Sequence, residues 1–549
     1  MELSDLSTRL RDLDHRQYVR YVDERTADAR TRLFLLIRHA LRPAQIIRQL
    51  RRLGYAATPQ LGRTLLWDER PPPSKLYTTS YLTGLRGIAA VKVLTFHYLM
   101  VYSDFGFQPW GVDHRHTHFF ELPIIRLLYA GFSAHLFFGI SGYLIAIRLF
   151  HALPQRQGNA HPDTFTTVSG NLFRKAFRLY LPVIAITFCT AMYIYLGFYE
   201  TYRPLLLDHE KLFPGDWYEP KPKQQPLAKQ LGVWMHELFD LTNVVTENTV
   251  YPFHDQHMWA ILAELRGTLH LYGVLVAVSP CRAHIRLVAM LVMSILYFYW
   301  NHWEVWVFIL GAMVAQLDLI LDSTPSPPVQ HHHHHQDHDF EPAPPAHVGR
   351  PVQEWTRYGV STAKDRRFQR VMRYAAFLVA LYLLSYPVDG ARDYAPGYLW
   401  LNKLIPRFMV RKDKFYPNIG TAILLLMLAR ADPQSSRWRR LLTSSFPLYL
   451  GKISFALFLV HGPVMHSIGY MLPHKTAWTF GTELQALSDV PWGLAVGFGW
   501  AITLLLSLWA ADVWHREVEG RCNDLTRKLE RVCFTEPRSS PVTGERSTA

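Results

Sequence analysis

The sequence predicts an all-α, polytopic membrane protein with about ten transmembrane helices. Three observations carry that expectation. The 549-residue chain is 49% hydrophobic and 14% aromatic, and its apolar residues are bunched into runs of the ~20 residues a helix needs to cross the hydrocarbon. Pro-rich and basic stretches separate the runs. Basic residues also recur on alternate connections, which fixes a topology. The mean hydropathy of -0.01 resembles that of a soluble chain because long polar tails and loops dilute it.

The formal net charge is +14. In a soluble chain this would suggest nucleic acid; here positive-inside bias and anionic lipid explain it, so the bilayer is the expected partner and nucleic acid is not. The four cysteines, Cys189, Cys281, Cys522 and Cys533, show no paired or zinc-binding spacing, which argues against disulfides and a structural metal. The first 30 residues are charged and lack an apolar core segment, so the first membrane helix is expected to act as an internal signal anchor.

Residues 1–80 read as a basic cytosolic amino-terminal tail. Seven arginines and no acid fall between Arg30 and Arg52, interleaved with apolar residues. Such a segment is either a basic helix on an anionic membrane surface or a loosely ordered arm.

Spans are then expected at 84–104, 131–150, 177–198, 257–278, 284–300, 303–321, 373–387, 417–431, 446–471 and 491–514. Arg174 to Arg178, Arg282 and Arg286, Lys364 to Arg373, Arg430 to Arg440 and Arg516 to Lys528 all fall on the side of the basic tail. That side, with both termini, is expected to be cytosolic. Arg407, Arg411, Lys412 and Lys414 are an exception on the opposite side. Residues 81–515 therefore form the membrane domain and 516–549 a cytosolic tail. Within the domain, 322–372 carry Pro-rich runs and five consecutive histidines, His331 to His335. That composition cannot bury a core and reads as a flexible cytosolic loop, a solvated spacer before a weak metal site.

Ionisable residues inside the spans are the functional candidates. Arg86 and His97 lie eleven positions apart on one expected helix, so they share a face with a rise of ~16 Å between them. A long ligand with a charged end and a reactive end can touch both. Counting ~1.5 Å per residue puts His97, Glu264 and His461 at a common depth of ~20 Å from the cytosolic face. Arg86, Arg174, Lys175 and Arg178 gather at the cytosolic mouth. Each residue also has a bland reading: a satisfied core histidine, a packing residue beside Pro463, or a Glu264–Arg266 ion pair.

The segment Gly84-Leu85-Arg86-Gly87-Ile88-Ala89-Ala90 with Phe96-His97-Tyr98 resembles the opening motif of the acyltransferase-3 family of integral membrane proteins. Phe137 to Ile145, the basic Arg174-Lys175-Ala176-Phe177-Arg178, Trp259 with Glu264-Leu265-Arg266-Gly267, and Ile453 to Leu457 leading to His461-Gly462-Pro463 follow in the family's order. The fourth has the form of the fungal branch. Two positions depart from the family pattern: Thr83 stands where Asp is usual, and Lys175 where Arg is usual. Lysine meets a phosphate as a point charge and cannot fork bidentately.

The resemblance implies transfer of an acyl group, commonly acetyl, from cytosolic acyl-CoA to a hydroxyl of a carbohydrate, lipid or other metabolite. It implies His97 as the catalytic group, as base or acyl carrier, and Arg86, Arg174, Lys175 and Arg178 as donor-binding residues. Beside these, Glu264 is expected to orient the imidazole or the acceptor, and His461 to polarise the thioester or only pack. Ser141-Gly142 reads as a close helix contact rather than a nucleophile. No bound cofactor or metal is expected; acyl-CoA is a co-substrate. The rival readings are a proton-coupled transporter and a non-catalytic acyl-CoA-binding protein. No phosphate-binding glycine loop, zinc motif or esterase elbow occurs.

Overall fold

The computed structural model describes residues 76–102, 121–128, 133–152, 164–200, 224–245, 250–322, 363–387, 395–433 and 436–534. All belong to one compact unit, Ser74–Ala549. The basic Arg30–Arg52 segment and the histidine run lie outside the described residues.

Among the described residues the long elements are helices: α1 (Ser80–Leu99), α2 (Ser133–Ala152), α3 (Thr164–Tyr195), α4 (Leu227–Thr242), α5 (Trp259–Val278), α6 (Ala283–Tyr299), α7 (Trp303–Asp322), α8 (Ala363–Leu384), α9 (Phe415–Ala429), α10 (Ser445–Ser467), α11 (Asp489–Trp514) and α12 (Gly520–Cys533). Each of the ten expected spans coincides with one of them. Six helical stretches among the described residues are long and apolar enough to cross a membrane: those of α2, α3, α5, α7, α10 and α11. α1 carries Arg86, Lys92 and His97 and is not among the six.

Some boundaries differ from expectation for one reason: charge at a helix end does not end the helix when a neighbour satisfies it. α3 begins at Thr164 rather than 177, which puts Arg174 and Lys175 on helix instead of in a loop. The expected carboxy-terminal tail starts as helix, because α11 runs through a π-turn, His515–Glu519, into α12. There Arg174 of α3 pairs with Glu530 of α12, and Phe173 meets Phe534 at 5.2 Å.

Small residues set the helix crossings, as expected where lipid removes the hydrophobic drive for association. α1 lies along α10 so closely that a Cβ on Gly87 would stand 2.4 Å from the Gly451 nitrogen. On the α2–α7 crossing, a Cβ on Gly142 would fall 2.1 Å from the Phe308 carbonyl oxygen. The glycine of the Ser141-Gly142 pair is thus a packing residue, as its sequence context indicates. Pro182 and Pro463 sit inside α3 and α10, tolerated because neighbouring groups re-satisfy the backbone in a membrane bundle.

Candidate active site

A cavity of about 600 Å³ runs among α1, α2, α3, α5 and α10. Its walls include Arg86 and His97, the two groups eleven positions apart on α1. Lys175 and Arg178 of α3 and Glu264 of α5 line it as well. Trp303 at the start of α7, with Arg411 and Lys414 in the turn before α9, contributes a second basic-aromatic stretch. Lys414 Nζ stands 5.3 Å over the Trp303 ring. Burial works to raise the Asp413 carboxyl in that turn, but Lys414 and Arg411 overcome it and hold the group well below the usual carboxylate range.

The imidazoles meet at one point. His97, in the last turn of α1, and His461, on α10, have ring centroids 5.3 Å apart. A third histidine, His257, closes the group: it stacks on His461 at 4.3 Å and 28°. Its Nδ1 lies 3.2 Å from Nδ1 of His97. His257 comes from the 3-10 turn Gln256–Met258 that precedes α5. Its Nε2 contacts the carboxylate of Asp255 at 2.8 Å.

The proton positions follow from what each partner accepts. The Asp255 carboxylate 2.8 Å from His257 Nε2 favours the tautomer protonated there, although the contact falls short of hydrogen-bond geometry. In that tautomer His97 Nδ1 donates to His257, which leaves Nε2 as the basic nitrogen of His97. His461 donates its Nδ1 proton to the Phe458 carbonyl at 2.7 Å. Asp255, His257 and His97 thus form a chain that ends in a basic imidazole nitrogen on a cavity-lining residue.

Local structure explains why Asp255 and His257 are held so firmly. Glu237 of α4 accepts the His254 backbone N–H at 3.1 Å and also pairs with the His254 side chain. The following residues are pinned inside the bundle: Asp255 is 4% and His257 2% exposed. Gly462 of α10 makes the space, since a Cβ there would lie 2.4 Å from His257 Nε2 and 3.0 Å from Asp255 Oδ2.

Glu264 stands elsewhere. It lies on α5, seven residues beyond His257 of the preceding 3-10 turn, a rise of ~10 Å. Its Oε1 accepts from Ser141 Oγ at 2.7 Å and pairs with Lys175. The structure therefore brings His97 and His461 together and sets Glu264 beside Lys175 and Ser141. The expected Glu264–Arg266 pair is replaced: Arg266 bonds Glu304 at 3.0 Å, both nearly buried. Arg174 is paired with Glu530 and hydrogen-bonded to Asn171 at 2.8 Å, and it is not among the cavity's lining residues.

An all-helical, membrane-spanning chain whose central cavity joins a cationic wall to an imidazole cluster has the build of an integral membrane acyltransferase. Residues 79–511 match the family described as "Acyltransferase domain", acyltransferase-3, and the chain belongs to that family. The chain is similar to the O-acetyltransferase PaAT-1 of Phomopsis amygdali, 26% identical over 452 residues, covering 79% of this chain and 81% of that protein. It is likewise similar to acyltransferase R4 of Phoma sp., 26% identical over 506 residues, covering 85% and 98%. Acyltransferase clz18 of Cochliobolus lunatus is 24% identical over 497 residues, covering 84% and 98%. No solved structure matches. The protein is an enzyme that transfers acyl groups, embedded in a membrane.

His257 and Asp255 are the site residues that sequence reading passed over. The signal was present, an Asp-x-His placed just before Trp259, but it straddles the expected start of the fourth span at 257.

Proposed function

We propose that this protein is a membrane O-acyltransferase that moves an acyl group, acetyl foremost, from cytosolic acyl-CoA to a hydroxyl of a carbohydrate, lipid or secondary metabolite. The observation that carries this reading is the single cavity that Arg86, Lys175, Arg178 and His97 line together. Both termini are assigned to the cytosol, in an endomembrane or the plasma membrane, from the loop charges. The likeness to PaAT-1, an O-acetyltransferase, supports the acyl class and the acceptor oxygen.

In this reading the phosphates of the donor sit on Arg178 and Arg86, with Lys175 contributing as far as its pairing with Glu264 allows; cationic clusters favour such contacts. The pantetheine arm extends along α1, whose ~16 Å rise from Arg86 to His97 carries the thioester to the imidazoles. His97 Nε2 takes the acceptor hydroxyl proton as its oxygen attacks the thioester carbon. The tetrahedral intermediate then collapses, the C–S bond breaks, and the CoA thiolate recovers the proton from the imidazolium. Ester and CoA thiol leave. Asp255 and His257 orient His97 and stabilise its protonated form, as a carboxylate-oriented base requires. His461 donates within its own helix, so as a neutral ring it accepts rather than polarises a carbonyl; its part is to fix the plane of His257.

Microsomal membranes containing the protein, labelled acetyl-CoA and hydroxyl acceptors provide the test. Acceptor-dependent labelling with CoA release is expected, and it should vanish in a His97→Ala variant that inserts normally. Unchanged transfer in that variant overturns the role of His97. Flux of acceptor without CoA release would identify a carrier, and donor binding without release a non-catalytic binder.

A further inference from the structure

The three imidazoles given parts in transfer above also stand close enough together to hold a metal ion, which transfer does not require. Their ligand nitrogens, one from each of His97, His257 and His461, all lie within 4.8 Å of one another. Two of the rings have a polar partner at their other nitrogen: the Asp255 carboxylate stands 2.8 Å from His257 Nε2, and the Phe458 carbonyl accepts the His461 Nδ1 proton. That is how proteins hold metal-binding imidazoles, with a carboxylate or carbonyl fixing the tautomer and raising ligand basicity. Nδ1 of His97 and Nδ1 of His257 are 3.2 Å apart. Two nitrogens each ~2.0–2.1 Å from a tetrahedral zinc ion stand about 3.3 Å apart. His461, 1% exposed, stacks on His257, and its ligand nitrogen lies within 4.8 Å of the other two.

We propose that His97, His257 and His461 bind a zinc-class divalent cation, and that loading this site silences transfer. Three neutral imidazoles suit zinc, copper or nickel and are poor ligands for magnesium or calcium. The Asp255 carboxylate offsets part of the ionic charge. In the silenced state the cation takes the Nδ1 lone pairs of His97 and His257 and the Nε2 lone pair of His461. The proton on His97 Nδ1 reappears on Nε2, so the ring stays neutral and no longer has a basic nitrogen toward the cavity. The silencing clause rests on His97 Nε2 being the base; the binding clause does not.

The His331–His335 run is a competing binder, so the test uses the full chain with those five residues replaced by serine, purified in detergent and stripped with a chelator. Zinc is then counted by elemental analysis, and cobalt is followed by its visible absorption. One zinc per chain is expected, with transfer inhibited by zinc and restored by chelator. His461→Phe, which keeps the ring volume, and Asp255→Asn should each weaken zinc binding about 10–100-fold, while monodispersity confirms folding. Absence of zinc from the parent chain, equal affinity in His461→Phe, or transfer that depends on zinc would each overturn the proposal. Binding is read without substrate, so a His97→Ala variant that still transfers removes the base assignment and leaves the parent chain's zinc count to judge the site.

Discussion

His97 and His257 meet Nδ1 to Nδ1 at 3.2 Å although 160 positions separate them in the chain. One closes a helix and the other sits in a 3-10 turn before the next wall of the cavity. A histidine that resembles a lone intramembrane base is therefore the end of a chain that starts at Asp255. In the proposed mechanism Asp255 and His257 are positioning residues, and the contact yields predictions that separate that role from mere packing.

Replacing His257 by Ala or Asp255 by Asn should lower kcat by about 10²–10⁴, the usual range for a general base and its support. The donor KM should change little, because neither residue belongs to the cationic wall. Steady-state kinetics with varied acetyl-CoA checks the split; a pure rise in KM would show that the pair binds donor instead.

Gly462→Ala tests the same geometry from the other helix. A methyl group 2.4 Å from His257 Nε2 must push the ring or Asp255 aside. Overpacking of this kind costs about 1–3 kcal/mol, and kcat should fall by about tenfold for each 1.4 kcal/mol that reaches the transition state. Measuring kcat alongside thermal stability in detergent distinguishes a displaced imidazole from general unfolding.

The basic residues of α3 should not behave alike. Arg178 lines the cavity and Arg174 is paired with Glu530 outside it. Loss of one charge-assisted phosphate contact is worth about 1.5–3 kcal/mol, so Arg178→Ala should raise the acetyl-CoA KM by tenfold or more. Arg174→Ala should leave it within about twofold, since exposed pairs contribute about 0–1 kcal/mol. Equal effects at both positions would contradict the separation of roles.

Asp413 should matter for stability. It is fully buried between Lys414 at 2.6 Å and Arg411 at 3.2 Å. Removing the carboxylate with Asp413→Asn leaves a buried Lys414 uncompensated, which typically costs about 3–5 kcal/mol. Because Lys414 and Arg411 hold the folded carboxyl low against its burial, its stabilisation is present above the ordinary carboxylate range. It is lost only as pH falls through that lowered value. Thermal unfolding of the wild type should therefore gain nothing from Asp413 titration between pH 7 and 5, with the variant less stable throughout.

Much of this molecule is written locally. Apolar runs of membrane length fixed the ten helical segments, and the pairs Gly84-Leu85-Arg86-Gly87 and His461-Gly462-Pro463 marked the two helices that frame the site. Spacing on one helix is legible too: Arg86 and His97 share a face because eleven residues make about three turns, and both line the cavity. Such features depend on residues close in sequence, where helix geometry alone sets distance.

What only the tertiary structure decided is which groups meet across helices. Depth counting placed Glu264 beside His97, but His257 is the residue that meets His97 there. Glu264 then turned to Lys175 and Ser141, and Arg266 to Glu304. Partner choice of this kind depends on helix rotation, axial offset and the room left by a glycine such as Gly462. A single sequence carries none of these as a periodic signal, so the class of enzyme was legible in its residues, and the Asp255–His257–His97 chain only in its fold.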